Sequence, residues 1–114
     1  MTKIHCYLRA RRKEWCLTQQ ELAGLVGTYR EKVRDVECGR VLPTSHELLA
    51  YAFVFGRATS EIFPAYAEAV QDAVMASAYR LSQNLEGDES PKGRRKNELI
   101  QDMLARVTSY VEHV

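Results

Sequence analysis

The sequence predicts an all-α protein, and three observations support this fold class. Apolar residues recur at three- and four-residue spacing along most of the 114 residues, which is the periodicity of helices that bury one face. No long stretch alternates polar and apolar residues, as a half-buried strand would. Three segments carry the Thr-x-x-Glu pattern that starts a helix. Because 46% of the residues are apolar, the chain can bury a core.

The first two predicted helices are separated by a short turn. Apolar residues at i, i+4 spacing place the first helix over Ile4–Trp15. Thr18 and Glu21 form a capping box, in which each residue satisfies a free backbone N–H of the other, so the second helix starts there. Gly27 ends it, because glycine readily adopts the left-handed conformation found after a helix C-terminus.

The third predicted helix starts near Tyr29, after a second capping box formed by Thr28 and Glu31. Gly39 ends this helix in the same way as Gly27 ends the one before it. The sequence therefore predicts two short helices in succession, joined by a tight turn.

The next two predicted helices complete a first group of five. Thr44 and Glu47 form the third capping box, and a strongly apolar fourth helix runs from there to Gly56. Its all-round apolarity predicts burial on more than one side. Ser60–Phe63 is predicted as a short fifth turn of helix.

Two longer helices follow in the last part of the chain. Pro64 opens the sixth predicted helix, which runs to about Leu85. Glu86–Lys96 is polar and contains Gly, Ser and Pro, so it is predicted to be a loop or linker. Asn97–Val111 is the last predicted helix, with a regular apolar stripe.

Basic charge is concentrated in the first 40 residues. Nine basic and five acidic residues give residues 1–40 a charge of +4, whereas residues 41–91 carry −5 and residues 92–114 carry +2. The net charge of +1 hides this distribution, which matters because attraction to phosphate acts locally. A second basic cluster lies at Lys92–Lys96. It is either a solvated linker or a contact to the flanking DNA, and both interpretations stay open.

The segment LTQQELAGLVGTYREKVRDVECGR, residues 17–40, resembles the helix-turn-helix of the Xre/Cro/phage-repressor family. The core of that family reads roughly L-[ST]-Q-x-E-L-A…G…I…E-x-G, and the resemblance covers about residues 4–63. It implies a five-helix repressor-like DNA-binding domain over residues 1–63, followed by two C-terminal helices over residues 64–114. We interpret this C-terminal extension as a dimerisation element, since such readers commonly bind as dimers. The other interpretation, which is compatible with the first, is that the two helices fold back as a hairpin on the DNA-binding domain.

The resemblance also implies which residues contact DNA. The family reads bases with the outward face of the third helix, which here carries Tyr29, Arg30, Glu31 and Arg34, and touches phosphate at the start of the second helix, at Gln19. Lys32 and Arg40 are expected to bind backbone phosphate. Arg12 and Glu37 match a structural pair that links helices, and Asp35 is assigned no contact. An ordinary solvated helix face with surface ion pairs remains an alternative for the basic residues of the third helix. The predicted DNA contacts are Gln19, Thr28, Tyr29, Arg30, Glu31, Lys32, Arg34 and Arg40.

These features predict a sequence-specific regulator of transcription that binds double-stranded DNA. We expect a repressor that acts as a homodimer on a palindromic operator. The alternative is an antitoxin, which binds a protein toxin and regulates its own operon. An enzyme is not expected, because the chain has no nucleophile motif, no phosphate-cradling glycine loop and no paired carboxylates in an apolar setting.

No cofactor or metal is expected, because the three cysteines and three histidines do not follow zinc-ligand spacing. The longest apolar stretch, Leu48–Phe55, is too short to cross a bilayer. We therefore expect no membrane association and a cytoplasmic protein with reduced thiols.

Overall fold

The computed structural model describes residues 5–112, with side chains described up to residue 107. This part of the chain contains seven helices and no strand, so the predicted all-α class is confirmed. The chain divides into two compact units, with the boundary between Ala69 and Val70 in the sixth helix. The helices are α1 (Leu8–Glu14), α2 (Gln19–Val26), α3 (Arg30–Glu37), α4 (Ser45–Phe55), α5 (Thr59–Ile62), α6 (Pro64–Asn84) and α7 (Pro91–Glu112).

The first unit folds around one apolar core. In it α2 packs against α3 and α4, while α4 also packs against α5 and α1 against α3. The N–H of Tyr7 donates to the carbonyl of Ile62 at 2.8 Å, which joins the entry of α1 to the end of α5. The largest fully buried side chains are Leu8, Leu22, Val26, Val33, Val36, Tyr51 and Ile62.

Two of the three predicted capping boxes are confirmed. At α2 the N–H of Glu21 donates to Thr18 Oγ1 at 3.0 Å, and the N–H of Thr18 donates to Glu21 Oε1 at 2.9 Å. The box at Thr44, before α4, has the same two bonds, at 3.1 and 2.9 Å. The box predicted at Thr28 is wrong. Tyr29 is the N-cap of α3 and makes no side-chain capping bond, while the Thr28 hydroxyl bonds to the Glu47 carboxylate.

The helix boundaries differ from the predictions at three places. The first helix starts at Leu8 rather than Ile4, and Ile4 itself lies outside the described residues. The fifth helix, Thr59–Ile62, lies one residue before its predicted position. The last helix starts at Pro91, so the prediction of a linker up to Lys96 is wrong.

The early start of α7 has a local cause. Ser90 Oγ accepts from the N–H of Gly93 at 3.1 Å, and the Ser90 carbonyl accepts from the N–H of Arg94 at 2.9 Å. Pro91 follows this cap at the first helical position, where the missing proline N–H costs nothing and its fixed φ suits a helix. The basic cluster Lys92–Lys96 is therefore helical and not an extended arm.

The C-terminus of α1 closes in a left-handed turn without a glycine. The N–H of Leu17 donates to the Arg12 carbonyl at 3.2 Å, and that of Cys16 donates to the Lys13 carbonyl at 3.0 Å. These two bonds define a Schellman motif, whose central residue has positive φ. At α3 a glycine, Gly39 (φ +75°), occupies that position, whereas at α1 it is Cys16 (φ +59°). A residue with a Cβ atom is strained in this conformation.

Replacing this residue by glycine, Cys16→Gly, should stabilise the first unit by about 0.5–1 kcal/mol. Relief of the left-handed strain outweighs the extra entropy of glycine in the unfolded chain. Urea unfolding followed by circular dichroism measures the change. Cys38→Gly is the matched control, because Cys38 is also exposed but has φ −81°, so its replacement should not stabilise. Equal shifts in the two variants would contradict the strain at Cys16.

The second unit comprises the rest of α6 together with α7. Ala78 of α6, Leu85 directly after that helix and Ile100 of α7 form its buried cluster, against which Met103 packs. Other apolar side chains of α6, including Val70 and Val74, stay half exposed. No helix within residues 5–112 is long and apolar enough to cross a membrane.

Candidate nucleic-acid interface

The turn between α2 and α3 sets the relation of these two helices. Gly27 adopts φ +84° at the end of α2, and the N–H groups of Gly27 and Thr28 both donate to the Ala23 carbonyl at 2.9 Å. The imidazole Nε2 of His46, in α4, lies 3.1 Å from the Val26 carbonyl. These contacts hold the turn on the core, so the start of α3 is fixed relative to α2.

One side of α3 is buried and the other is open to solvent. Val33 and Val36 are 0% and 2% exposed, and both belong to the core. Arg30, Glu31 and Arg34 lie on the opposite side and are exposed. Together with Tyr29, which is 61% exposed at the N-cap, they form what we call the α3 face (Tyr29, Arg30, Glu31 and Arg34). The structure thus brings together the four residues predicted to read bases.

Two other predicted contact residues point elsewhere. Lys32 Nζ lies 3.2 Å from Glu47 Oε1, and its side chain is only 18% exposed. The Thr28 hydroxyl bonds to the same carboxylate. Both side chains are engaged with α4 inside the first unit, so neither belongs to the α3 face.

Glu47 is a buried carboxylate with a complete set of partners. Burial alone would raise its pKa. The N–H of Thr44, the Thr28 hydroxyl and the Lys32 ammonium stabilise the charged form and outweigh burial, so the pKa of Glu47 is lowered. The ionised carboxylate therefore ties the start of α4 to the turn before α3.

The first unit should lose stability as pH falls below about 4.3, the ordinary pKa of glutamate. Because Glu47 has a lower pKa in the folded chain, its stabilisation is complete above the unfolded pKa and disappears as pH falls through the folded pKa. Urea unfolding at pH 3 to 7 should show this decrease, and Glu47→Gln should reduce its slope. An identical pH dependence in the two proteins would contradict the assignment. Glu21 and Glu61 also have lowered pKa values, so the variant should keep a smaller slope of the same sign.

A buried ion pair links α1 to the end of α3. Arg12 Nε donates to Glu37 Oε2 at 2.6 Å, and Arg12 Nη2 donates to Oε1 of the same carboxylate at 3.1 Å. Arg12 Nη1 also donates to the Leu17 carbonyl at 2.9 Å. The side chains of Arg12 and Glu37 are 10% and 2% exposed. The pair predicted by resemblance is present, and its geometry is bidentate, which favours strong charge-assisted bonds.

Gln19 is attached to the same network. Its Nε2 donates to Glu37 Oε1 at 3.0 Å, which leaves one amide N–H for another acceptor. Gln19 is the first residue of α2, where backbone N–H groups have no partner within the helix. Its side chain is half-buried. The network thus orients the amide beside a helix start that suits an anion.

The C-terminal part of α3 carries a cluster that the sequence did not indicate. Asp35 Oδ1 lies 3.4 Å from Arg34 Nε and 3.6 Å from Arg40 Nη1. The sequence left Asp35 without a role, and Arg40 lies beyond the predicted helix end. The detectable signal was Gly39, since a left-handed turn after a helix brings the next residue back toward the last turn.

Within the described residues no group of three or more His, Cys, Asp or Glu side chains is placed to hold a metal ion. Among the cysteines, Cys6 is buried, and its thiol donates to the Val36 carbonyl at 3.6 Å. Burial raises the pKa of Cys6. Its thiol is therefore part of the packing beneath α3.

Comparison with known proteins gives one solved structure to report. No protein-family model matches the chain, and no curated protein matches it. The crystal structure of the clp gene regulator ClgR from Corynebacterium glutamicum is similar at 23% sequence identity and a TM-score of 0.46. The alignment covers 72% of this chain and 85% of that one.

Proposed function

We propose that the chain is a sequence-specific regulator of transcription that binds double-stranded DNA, of the helix-turn-helix type found in the Xre/Cro/phage-repressor family. The observation that carries the proposal is the α3 face. Its polar side chains are presented on a short helix whose other side is anchored in the core. A helix of this kind fits the major groove, where side chains reach the base edges.

The chemistry of the α3 face suits base recognition. The guanidinium of Arg30 can donate two hydrogen bonds to O6 and N7 of guanine, and the carboxylate of Glu31 can accept from the cytosine amine. Both side chains are exposed, and no ion pair within the described residues involves either of them. Gln19, held by Glu37, offers its free amide N–H to a phosphate oxygen, as do the backbone N–H groups at the start of α2.

We further propose that the protein is a repressor and binds its operator as a homodimer through the second unit. Val70, Val74 and Leu81 are 44–47% exposed and share one face of α6, at i, i+4 and i+11 spacing. Clustered apolar exposure of this kind marks surfaces that contact protein. A second copy of the chain is the proposed partner, because two-fold symmetry doubles the contacts at a palindromic site.

The first unit also has exposed apolar side chains that fit a protein partner. Leu49 and Phe53 lie one turn apart on α4 and are 68% and 89% exposed. The alternative function, an antitoxin, would use such a surface to bind a toxin. It predicts a stable complex with another protein, whereas operator binding is common to both functions, because such an antitoxin regulates its own operon.

Selection of bound sequences from a random duplex library, at physiological salt, tests the proposal. A palindrome with half-sites about one helical turn apart is the expected result. Recovery of a single half-site would contradict the homodimer but not the DNA-binding function. Recovery of no motif, with only weak and salt-sensitive binding, would contradict sequence-specific regulation and leave binding to a protein partner as the function to test.

A further inference from the structure

A single carboxylate lies between two arginines at the end of α3. Asp35 Oδ1 is within 3.6 Å of both Arg34 Nε and Arg40 Nη1. The three side chains are 30%, 44% and 57% exposed, for Asp35, Arg34 and Arg40 respectively. They form what we call the Asp35 triad. Arg34 also belongs to the α3 face, and here we assign it to phosphate and leave base reading to Arg30 and Glu31.

The backbone produces the triad. Gly39 adopts φ +75° and donates its N–H to the Val36 carbonyl at 3.0 Å, while the N–H of Arg40 donates to the Asp35 carbonyl at 2.9 Å. This left-handed turn returns the chain to the last turn of α3. The fold therefore holds the backbone of Arg40 beside Asp35, within reach of its carboxylate.

Folding stability does not explain the triad, because exposed ion pairs contribute little to it. A bound polyanion, in contrast, interacts with the charges of all three side chains. Each Lys or Arg that neutralises a phosphate releases a counterion and adds affinity for every duplex, whatever its sequence. A carboxylate close to two arginines partly neutralises their positive charge, and it also repels the phosphates that they would bind. The resulting loss of affinity is the same for all DNA sequences, whereas the contacts of Arg30 and Glu31 to bases are kept.

We propose that Asp35 is a specificity-determining residue, which restrains Arg34 and Arg40 from binding phosphate and so lowers the affinity for non-specific DNA. The inference rests on the DNA-binding function proposed above. Discrimination is the difference between the affinities for operator DNA and for unrelated DNA, and it increases when the affinity for unrelated DNA is lowered.

Asp35→Asn tests the proposal, since asparagine keeps the shape of the side chain and removes its charge. With an unrelated duplex, the slope of log K against log salt should become steeper by about 0.9 to 1.8, equivalent to one or two further phosphates. Affinity should then fall about 3- to 12-fold more between 50 and 200 mM salt than it does for the natural chain. The selected sequence should stay the same, while its advantage over unrelated DNA decreases.

Two comparisons isolate the cause. Glu14→Gln is the matched control, because Glu14 pairs with Arg11 at 3.1 Å on α1 and its loss should leave the slope unchanged. In an Arg34→Gln/Arg40→Gln background, Asp35→Asn should no longer steepen the slope. Thermal unfolding of each variant by circular dichroism establishes that it is folded under the conditions of the assay.

Three results would overturn the inference. A slope that changes no more in Asp35→Asn than in Glu14→Gln would show that the arginines are not restrained. A lower affinity with altered preference at one base pair would make Asp35 a base contact. A natural chain without any sequence preference would defeat the proposed function and this inference together, whereas the first two results leave the proposed function intact.

Discussion

Glu37→Ala should unfold the first unit, or nearly so, at room temperature. The substitution leaves the guanidinium of Arg12 buried, with the Leu17 carbonyl as its one remaining acceptor among the bonds described above. Removing one partner of a buried ion pair costs about 3–5 kcal/mol, because the other charge stays out of water. A small domain has about 5 kcal/mol or little more in total. Urea unfolding followed by circular dichroism measures the loss.

A matched exposed pair provides the control. Glu14→Ala makes the same substitution in an exposed ion pair, between Glu14 (49% exposed) and Arg11 (26% exposed). It should lower the free energy of unfolding by about 0–1 kcal/mol. Replacing both members of the buried pair, as Arg12→Met with Glu37→Leu, should recover part of the loss, since no charge is then left unpaired. Equal effects of Glu37→Ala and Glu14→Ala would refute the buried pair.

Arg30→Ala should lower affinity for the selected DNA by about 1–3 kcal/mol and relax the preference at one base pair. The guanidinium is exposed at the start of α3, where it can form two hydrogen bonds with one guanine. The measurement is binding to the selected duplex and to variants of it, changed one base pair at a time. Affinity for unrelated DNA should fall much less.

Two further variants test whether the change in base preference is specific to Arg30. Arg57→Ala removes an exposed arginine next to α5, paired with Glu61, and should leave the base preference unchanged. Gln19→Ala should weaken binding at all sequences alike, because its proposed partner is a phosphate. If Arg30→Ala kept the full preference, the α3 face would not be the base-reading surface.

Much of the fold was predictable because its signals are local. The Thr18 and Thr44 capping boxes join residues three apart, so four letters of sequence contain the whole interaction. The same holds for Gly27 and Gly56, whose positive φ ends α2 and α4. The start of the last helix could not be predicted from composition. Lys92–Lys96 is polar enough for a loop, but the cap at Ser90 and the proline after it start a helix.

Periodicity and capping depend on neighbours along the chain, so the all-α class, most helix ends and the exposed face of α3 could be predicted from the sequence. Which charged side chains remain available for DNA depends on the three-dimensional fold. Lys32 is predicted as a phosphate contact but pairs with Glu47, and Thr28 is predicted as a cap but bonds to that same carboxylate. Asp35 meets Arg40 because the chain turns back at Gly39. Such pairings depend on distance in space, which no local pattern contains.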